Sequence, residues 1–452
     1  MKDKKSRRSE QIRCIVLELW KGEILDVARH TDKGMFMENQ GRFRFTLGLR
    51  AIATTAALAL AIVGMMTIGT SGTGYAQGFQ VIHSFAGPDG ALPKAGLTIR
   101  AGKLYGTTWA GHEGTGWGGV FQLRLHNGFW IFQDLHVFDG QPLDRVVFGP
   151  NGTLYGTSPS NLVSYHYGYI FNVTIPVNVC ATVGCIWPAN VVYGFAGGSN
   201  GATPQGAALV FDGAGNMYGT TSAGGSGSGT VYMVTPSGTQ SVINTFAGTP
   251  DGATPYSGVI FDTAGNLYGV TEAGGTSGNG AVYKLSPNGG GWSEQVIYSF
   301  TGGNDGSNPV GGLVIDGAGN LYGTTASGGS GGGGTIFELS PNGSGWSYNL
   351  LASFNGTANC GPWAEPTFDS AGNLYGTTQC DGSTGNGSIW ELGNSGSGWT
   401  YNSLHDFSGG ADGKRPYSTV AFDASGNLYG TTESGGANGI GEVWEFTPSP
   451  RH

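Results

Sequence analysis

The residues best suited to chemistry in this 452-residue chain are carboxylates and tryptophans beside short glycine-rich segments. Glu272 and Glu433 each come shortly after a Leu-Tyr-Gly motif. Two carboxyl groups held about 5–10 Å apart can hydrolyse glycosidic bonds. Tryptophan side chains offer large flat surfaces on which a sugar ring can stack. Three tryptophans fall in comparable segments: Trp109, Trp117 and Trp363.

Known catalytic motifs are absent from the sequence. It contains no His-Glu-x-x-His zinc motif and no phosphate-binding loop with lysine, and its two Gly-x-Ser-x-Gly strings, at 197–201 and 328–332, lie in glycine-rich segments that no predicted helix follows, as a nucleophile elbow would require. The histidines after residue 76 are scattered along the chain, and Glu272 and Glu433 lie in distant segments. We therefore expect no catalytic residues, with an enzyme acting on extracellular polysaccharide as the alternative.

A second set of carboxylates lies in Asp-Gly-x-x-Pro motifs, which contain Asp251, Asp305 and Asp412. If these motifs share one face of the fold, their side chains could bind a ligand, although each motif is also a reasonable turn. The separate Asp-x-x-Gly-Asn motif indicates a turn in which Asp caps backbone N–H groups. It lacks the alternating oxygens of a calcium loop, so we expect no metal or cofactor, with calcium as the weaker alternative.

These residues are positioned by a repeat. Leu-Tyr-Gly occurs seven times, once with Met for Leu, and the tyrosines are spaced 50, 63, 50, 54, 53 and 54 residues apart. A period near 50 made of short alternating apolar segments is typical of a β-propeller. We expect the tyrosines to pack between blades as part of the core. They are Tyr105, Tyr155, Tyr218, Tyr268, Tyr322, Tyr375 and Tyr429.

Each repeat predicts four short strands, a to d, which in the clearest copy span 312–316, 321–326, 335–339 and 346–354. The last repeat ends after its strand c, whereas an unpaired strand at 79–85 has the pattern of strand d. We predict an all-β, seven-bladed β-propeller of four-stranded antiparallel blades, closed by strand 79–85 completing the last blade. In such blades the d–a and b–c loops emerge on one face, so that face collects the candidate residues.

Composition agrees with short strands and limits the partners. The chain has 86 glycines, 12% aromatic residues and 11% charged residues, which indicates tight turns rather than disorder. The net charge is −9, and residues 1–76 hold 12 Lys and Arg against 7 Asp and Glu. The remainder therefore has 9 basic against 23 acidic residues (21 − 12 and 30 − 7). An acidic domain without a basic stripe argues against nucleic-acid binding.

The N-terminal region has the order of an export signal. An uncharged apolar run at 51–69 follows Arg42, Arg44 and Arg50, and small residues precede a cleavage site after Ala76. We predict cleavage there and a secreted or cell-surface protein; if it is not cleaved, the run at 51–69 is long enough to be a membrane anchor. The predicted regions are 1–76, the N-terminal extension and signal peptide, and 77–452, the propeller.

Four cysteines lie outside the targeting region. In an exported protein we expect disulfides Cys180–Cys185 and Cys360–Cys380, with a metal site as the alternative. Cys360 precedes a strand a and Cys380 follows the next strand b, so the two should share a face.

The repeat resembles a known family. The segment from Phe261 to Pro287 reads Phe-Asp-x-x-Gly-Asn-Leu-Tyr-Gly, then Gly-Gly, then Gly-x-Val-x-x-Leu-x-Pro. This pattern is similar to the GloVer repeat family of bacterial exported proteins, also described as choice-of-anchor tandem-repeat proteins. The resemblance spans about residues 79–448 and implies an exported, propeller-like protein. It supplies no catalytic residues.

Taken together, the sequence predicts an exported, non-catalytic binding or scaffolding propeller. The expected ligand is a glycan or a surface protein bound through the d–a and b–c loops. The alternatives are a hydrolase or lyase acting on extracellular polysaccharide, and a purely structural surface protein. We expect a monomer that contacts no nucleic acid and meets a membrane only through residues 51–69 if these are not removed.

Overall fold

The computed structural model describes residues 78–112, 117–159, 165–176, 186–206, 208–356, 358–396 and 398–449. The predicted N-terminal region 1–76 and the pair Cys180 and Cys185 lie outside the described residues. Within these ranges the chain forms β-strands and one short 3-10 helix, Gly198–Asn200. In this part of the chain, no helix has the length and apolar character needed to cross a membrane.

Seven four-stranded antiparallel sheets follow one another along the chain and form the blades of a seven-bladed β-propeller. Blade 1 comprises β2 (Thr98–Arg100), β3 (Lys103–Thr108), β4 (Gly119–His126) and β5 (Phe129–Val137). Blade 2 comprises β6 (Val147–Phe148), β7 (Leu154–Ser158), β8 (Tyr169–Val173) and β9 (Ala189–Gly194). Blade 3 comprises β10 (Val210–Phe211), β11 (Met217–Thr221), β12 (Thr230–Val234) and β13 (Gln240–Thr245). Blade 4 comprises β15 (Ile260–Phe261), β16 (Leu267–Thr271), β18 (Ala281–Asn288) and β19 (Gly291–Ser299). Blade 5 comprises β20 (Val314–Ile315), β21 (Leu321–Thr325), β22 (Gly332–Asn342) and β23 (Gly345–Asn355). Blade 6 comprises β24 (Thr367–Phe368), β25 (Leu374–Thr378), β26 (Ser388–Asn394) and β27 (Trp399–Asp406).

Blade 7 joins the two ends of the propeller. It comprises β28 (Ala421–Phe422), β29 (Leu428–Thr432), β30 (Glu442–Thr447) and β1 (Gly78–Ser84). Strand β1 pairs antiparallel with β30 from Gly78 opposite Thr447 to Ser84 opposite Glu442. This confirms the predicted closure, with the strand one residue earlier than expected. The pairing covers the edge of β30 that a three-stranded last blade would expose, and gives blade 7 four strands like the other blades.

The hydrophobic core is divided among the seven junctions between neighbouring blades. Each of seven buried clusters draws side chains from two adjacent blades. At the 7–1 junction, Phe85 and Tyr429 pack with Leu97 and Phe121. Apolar burial is therefore continuous around the ring and includes the junction between the chain ends.

The Leu-Tyr-Gly motif is explained by this packing, as blade 5 illustrates. The Tyr322 ring packs edge-on against Phe368 of blade 6, and its hydroxyl donates to the Asp316 carboxylate of its own Asp-x-x-Gly-Asn turn. Gly323 faces strand c, where a Cβ would lie 2.6 Å from Phe337 Cζ. The tyrosine therefore joins two blades, and the glycine makes room for an aromatic ring.

In five of the seven blades, the first threonine after the motif ties its blade to the next one. Thr324 Oγ1 of blade 5 donates to the Ala364 carbonyl of blade 6 at 3.2 Å. Equivalent bonds join Thr107 to Asp144, Thr220 to Ser257, Thr377 to Ser418 and Thr431 to Ala95. The last of these crosses the closure between blades 7 and 1.

The d–a and b–c loops share one face, here called the loop face. In five blades, an antiparallel β-bridge joins the d–a loop to the segment after strand b. The bridged residue of the d–a loop is either the glycine of its Asp-Gly or Asn-Gly pair or the residue directly after that glycine. The bridged pairs are Ala91 and Ala110, Ala202 and Ala223, Gly252 and Gly274 (β14, Gly252–Ala253, with β17, Ala273–Gly274), Ser307 and Ser327, and Lys414 and Ser434. In blade 6 a disulfide joins Cys360 and Cys380, as predicted.

Candidate binding site at the mouth of the central channel

A cavity of about 430 Å³ lies on the propeller axis at the loop face, because residues from all seven blades line it. Its volume is within the range of roughly 300–1,000 Å³ found for small-ligand sites. Most of its wall comes from the residues that follow the proline of the d–a motif. Among these are Lys94, Leu143, Gln205, Tyr256, Trp363 and Tyr417.

Three aromatic side chains form one wall. The Trp363 ring meets Tyr256 at 6.2 Å and Tyr417 at 5.8 Å between ring centroids, both nearly perpendicular. Trp363 Nε1 donates to the Asn359 carbonyl at 3.1 Å, and Gln379 Nε2 donates to the Tyr417 hydroxyl oxygen. All three rings are half-buried. The wall is thus held in place while it presents aromatic surface and hydroxyl groups to the cavity.

A charged group lies where blades 7 and 1 meet. Lys94 Nζ is 3.1 Å from Glu433 Oε1 and 4.6 Å from the centroid of the Trp109 ring. Arg415 Nη1 lies 4.0 Å from the other oxygen of Glu433. Lys94 therefore makes an ion pair with Glu433 and a cation–π contact with Trp109 at the same time. The ion pair fixes the lysine, and the cation–π contact holds the Trp109 ring at the cavity wall.

A second ion pair crosses the channel. Arg145 Nη2 of blade 2 lies 2.8 Å from Glu365 Oε1 of blade 6, and both residues line the cavity. Each begins the segment that leads into a strand a. Two blades lie between them on one side of the ring and three on the other, so the contact spans the channel rather than a blade junction.

One carboxyl of the cavity wall is fully enclosed. Burial raises the pKa of Asp144 to about 7, against the effect of hydrogen bonds from the Thr157 hydroxyl and the Gly206 amide. Burial also raises the pKa of Glu272, and it raises that of Tyr256 to about 12, with a further contribution from Asp144. One oxygen of Asp144 thus bonds within blade 2, to Thr157, and the other joins blade 2 to blade 3 through Gly206.

The structure separates the candidate residues predicted from sequence. Trp109 and Trp363 line the cavity. Glu433 contacts the wall through Lys94, and Glu272 acts electrostatically on Tyr256. Trp117, Asp251, Asp305 and Asp412 do not line it.

The aspartates of the d–a motif instead close their own loops. Asp305 accepts hydrogen bonds from the Thr301 amide at 2.8 Å and the Tyr298 hydroxyl at 3.0 Å. Asp251 accepts from the Ala247 amide and Asp412 from the Ser408 amide, both at 2.9 Å. This is the turn role that the sequence offered as the alternative to ligand binding. The described residues contain no group of three or more His, Cys, Asp or Glu side chains placed to hold a metal ion.

Several wall residues were missed by sequence reasoning. Tyr256, Tyr417 and Lys94 each directly follow the proline of the motif Asp-Gly-x-x-Pro, and Arg145 and Glu365 occur two residues later in the same alignment. The signal was present, because these positions vary in chemistry while their neighbours repeat. Extending the motif to the first residue after the proline would have found Tyr256, Tyr417 and Lys94, and extending it to the third would have found Arg145 and Glu365.

Comparison with known families supports the repeat assignment. The model of the Gloeobacter/Verrucomicrobia repeat matches residues 188–360 and 314–452, which together exceed half of the chain. The chain belongs to this family. Blade 1 and the first three strands of blade 2 of this Gloeobacter/Verrucomicrobia repeat protein precede the matched region but carry the same motif at Tyr105 and Tyr155. No curated protein matches the chain.

Several solved structures are similar at low identity. A putative 6-phosphogluconolactonase from Bacteroides uniformis is 14% identical, with a TM-score of 0.48, covering 76% of this chain and 95% of its own. A putative oxidoreductase (glucose dehydrogenase) from Thermus thermophilus is 13% identical, with a TM-score of 0.43, covering 82% and 100%. PorZ, a surface component of the type-IX secretion system of Porphyromonas gingivalis, is 16% identical, with a TM-score of 0.45, covering 77% and 46%. We infer neither fold nor activity from similarities this low.

Proposed function

We propose that this propeller is a non-catalytic binding protein that recognises an uncharged glycan at the mouth of its central channel. The observation that carries the proposal is the aromatic wall of Tyr256, Trp363 and Tyr417 in a cavity of about 430 Å³. Half-buried aromatic rings offer apolar surface for stacking, and the tyrosine hydroxyls offer hydrogen bonds at the same place. Sugars present both kinds of surface.

The charges around the cavity favour an uncharged ligand. Lys94 is paired with Glu433, and Arg145 is paired with Glu365. A charged ligand would have to compete with these existing partners, whereas a neutral glycan can accept and donate hydrogen bonds without separating them. Gln141 and Gln205 add uncharged hydrogen-bonding groups to the wall.

An enzyme is the second candidate, because Asp144 lines the cavity with a pKa raised to about 7. A carboxyl that stays protonated near neutral pH is suited to general acid catalysis. Its two oxygens, however, already accept hydrogen bonds from Thr157 and Gly206 of the protein itself. We therefore favour binding over hydrolysis. Release of reducing sugar from a polysaccharide panel by the wild type, but not by Asp144→Asn, would reverse this preference.

We further propose that the protein acts outside the cytoplasm. The disulfide Cys360–Cys380 supports this location, because such bonds persist in oxidising compartments. The export signal predicted at residues 51–76 points the same way. N-terminal sequencing of the native protein from culture medium and from membranes tests both cleavage after Ala76 and the location.

The direct test of binding is a glycan array probed with the full-length wild-type protein and with Trp363→Ala. We expect saturable binding of at least one neutral glycan by the wild type and loss of that signal in the variant. The array is run with calcium and with chelator, and binding that requires calcium would revive the metal alternative. A blank array for the wild type would contradict the proposal.

A further inference from the structure

One position that is equivalent in all seven blades faces the channel, and it carries a small side chain in every blade except two. The position lies two residues before the first residue of each strand a. Five blades place a small residue there: Gly96, Ala208, Gly258, Gly312 and Thr419. Blades 2 and 6 place Arg145 and Glu365, of opposite charge. Among the seven positions of this ring, these two alone carry a charge, and their side chains pair with each other across the axis.

The surroundings make room for this pair. Arg145 Nη2 and Glu365 Oε1 are 2.8 Å apart, with side chains 30% and 19% exposed. A Cβ at Gly312 would lie 2.8 Å from Glu365 Oε2, so the glycine of blade 5 leaves the space that the carboxylate occupies. The small residues of the ring thus let two long side chains meet where seven side chains of ordinary size would collide.

The same pair also borders cavities further along the channel. Two cavities of about 480 and 700 Å³ are lined by residues of the a strands, and both include Arg145 and Glu365. Their walls are largely apolar, with Val147, Val314 and Phe368 common to both. The ion pair therefore lies between the cavity at the loop face, here called the chamber, and the two largely apolar cavities along the a strands.

We infer that the Arg145–Glu365 pair closes the floor of the binding site, so that the site takes the end of a glycan chain and not an internal stretch. This inference rests on the proposed function. A ligand that enters from the loop face meets an ion pair at the bottom of the mouth. Sugar units beyond those that fill the chamber must then remain in solvent, where they add little contact.

The test measures how affinity depends on chain length. Full-length protein is titrated calorimetrically with malto-, cello-, laminari- and chito-oligosaccharides of two to seven units. For a series that binds, we expect the dissociation constant to fall until the chamber is filled and then to change by less than about twofold for each added unit. In Arg145→Ala/Glu365→Ala the floor is open, and affinity is expected to keep rising with length through the heptasaccharide.

The charge-exchanged variant Arg145→Glu/Glu365→Arg is the matched control. It restores opposite charges across the channel and is expected to restore the plateau. Circular dichroism and the unfolding midpoint establish that each variant is folded. If the double alanine variant does not fold, the single variant Arg145→Ala, which removes one side of the pair, takes its place in the same length series with the same expected result.

The outcomes distinguish the two proposals. No binding in any of the four series overturns the proposed function and this inference with it. Binding whose affinity rises steadily with length in the wild type leaves the proposed function standing but overturns the inference. A plateau that persists in the folded alanine variant shows that the pair is not the floor.

Discussion

Cys360 and Cys380 occupy in blade 6 the two positions that Ser307 and Ser327 occupy in blade 5. The serines are bridged by backbone hydrogen bonds between the d–a and b–c loops of the loop face. Cys380 N donates to the Cys360 carbonyl at 3.1 Å in the same register, and the side chains add a covalent bond. The disulfide thus strengthens a contact that other blades make without it.

Replacing both cysteines should weaken the protein without changing its fold. For Cys360→Ser/Cys380→Ser we expect the free energy of unfolding to fall by about 3 kcal/mol, the scale for a disulfide that closes a loop of this length. Denaturant unfolding of the full-length chain measures the change, with circular dichroism to establish the fold. Equal stability of the double variant and the oxidised wild type would contradict the prediction.

The glycine of the Leu-Tyr-Gly motif should be intolerant of even one methyl group. In Gly323→Ala the new Cβ would lie 2.6 Å from Phe337 and 2.8 Å from Leu313, so we expect a loss of about 1–3 kcal/mol through overpacking. Gly317→Ala in the same blade is the control. Its Cβ meets nothing within 4 Å, so stability should change by less than about 0.5 kcal/mol. Similar unfolding midpoints for the two variants would show that the packing argument fails.

The sequence predicted the fold because the same residues solve the same packing problem in every blade. Tyr322 must reach the next blade and its own Asp316 turn, so its motif recurs wherever a blade recurs. The wall of the cavity was only partly predicted. Trp109 and Trp363 were found by residue type, but Arg145 and Glu365 meet through ring closure across 220 residues. No local spacing encodes that contact.

Stability should pass through a maximum in mildly acidic solution. Burial raises the pKa of Asp134, Asp144 and Glu294 to about 7, above their unfolded values. Folding therefore binds protons in that window, and stability is lost as pH rises from about 4 towards 7. Partial burial raises the pKa of Asp212 and Asp262, but hydrogen bonds within the Asp-x-x-Gly-Asn turns outweigh it, so the pKa of both is lowered. The stability that these two carboxylates contribute to the fold is therefore lost as the pH falls below their unfolded pKa.

The variant Asp144→Asn isolates one part of this pH dependence. Its amide keeps an oxygen to accept from the Gly206 N–H but cannot ionise. Between pH 5 and 8 we expect the wild type to lose more stability than the variant, by up to about 1.4 kcal/mol for each pH unit in the window. Denaturant unfolding at pH 5, 6.5 and 8 gives the comparison. Parallel curves for the two proteins would mean that Asp144 does not titrate in this range.

Two tryptophans of the loop face should differ in their effect on binding. Trp363 lines the cavity, whereas Trp117 does not. For any glycan that binds the wild type, Trp363→Ala is expected to weaken binding at least about thirtyfold, since truncating a central aromatic anchor costs roughly 2 kcal/mol or more. Trp117→Ala, the same substitution on the same face, should leave the affinity unchanged. Titration calorimetry on both variants decides it, and an equal loss in both would remove the cavity as the site.

Removing the closing strand should destabilise the whole ring rather than one blade. Strand β1 pairs with β30 along its length, and Phe79 lies in the cluster at the 6–7 junction while Phe85, directly after the strand, is fully buried at the 7–1 junction. A chain beginning at residue 86 would expose the edge of β30 and open two core clusters together. We expect it to unfold at a much lower denaturant concentration than a chain beginning at residue 77, and to associate through the exposed edge. Urea unfolding and size-exclusion chromatography of both chains test this, and a monomeric shorter chain with the same midpoint would show that the ring does not depend on closure by β1.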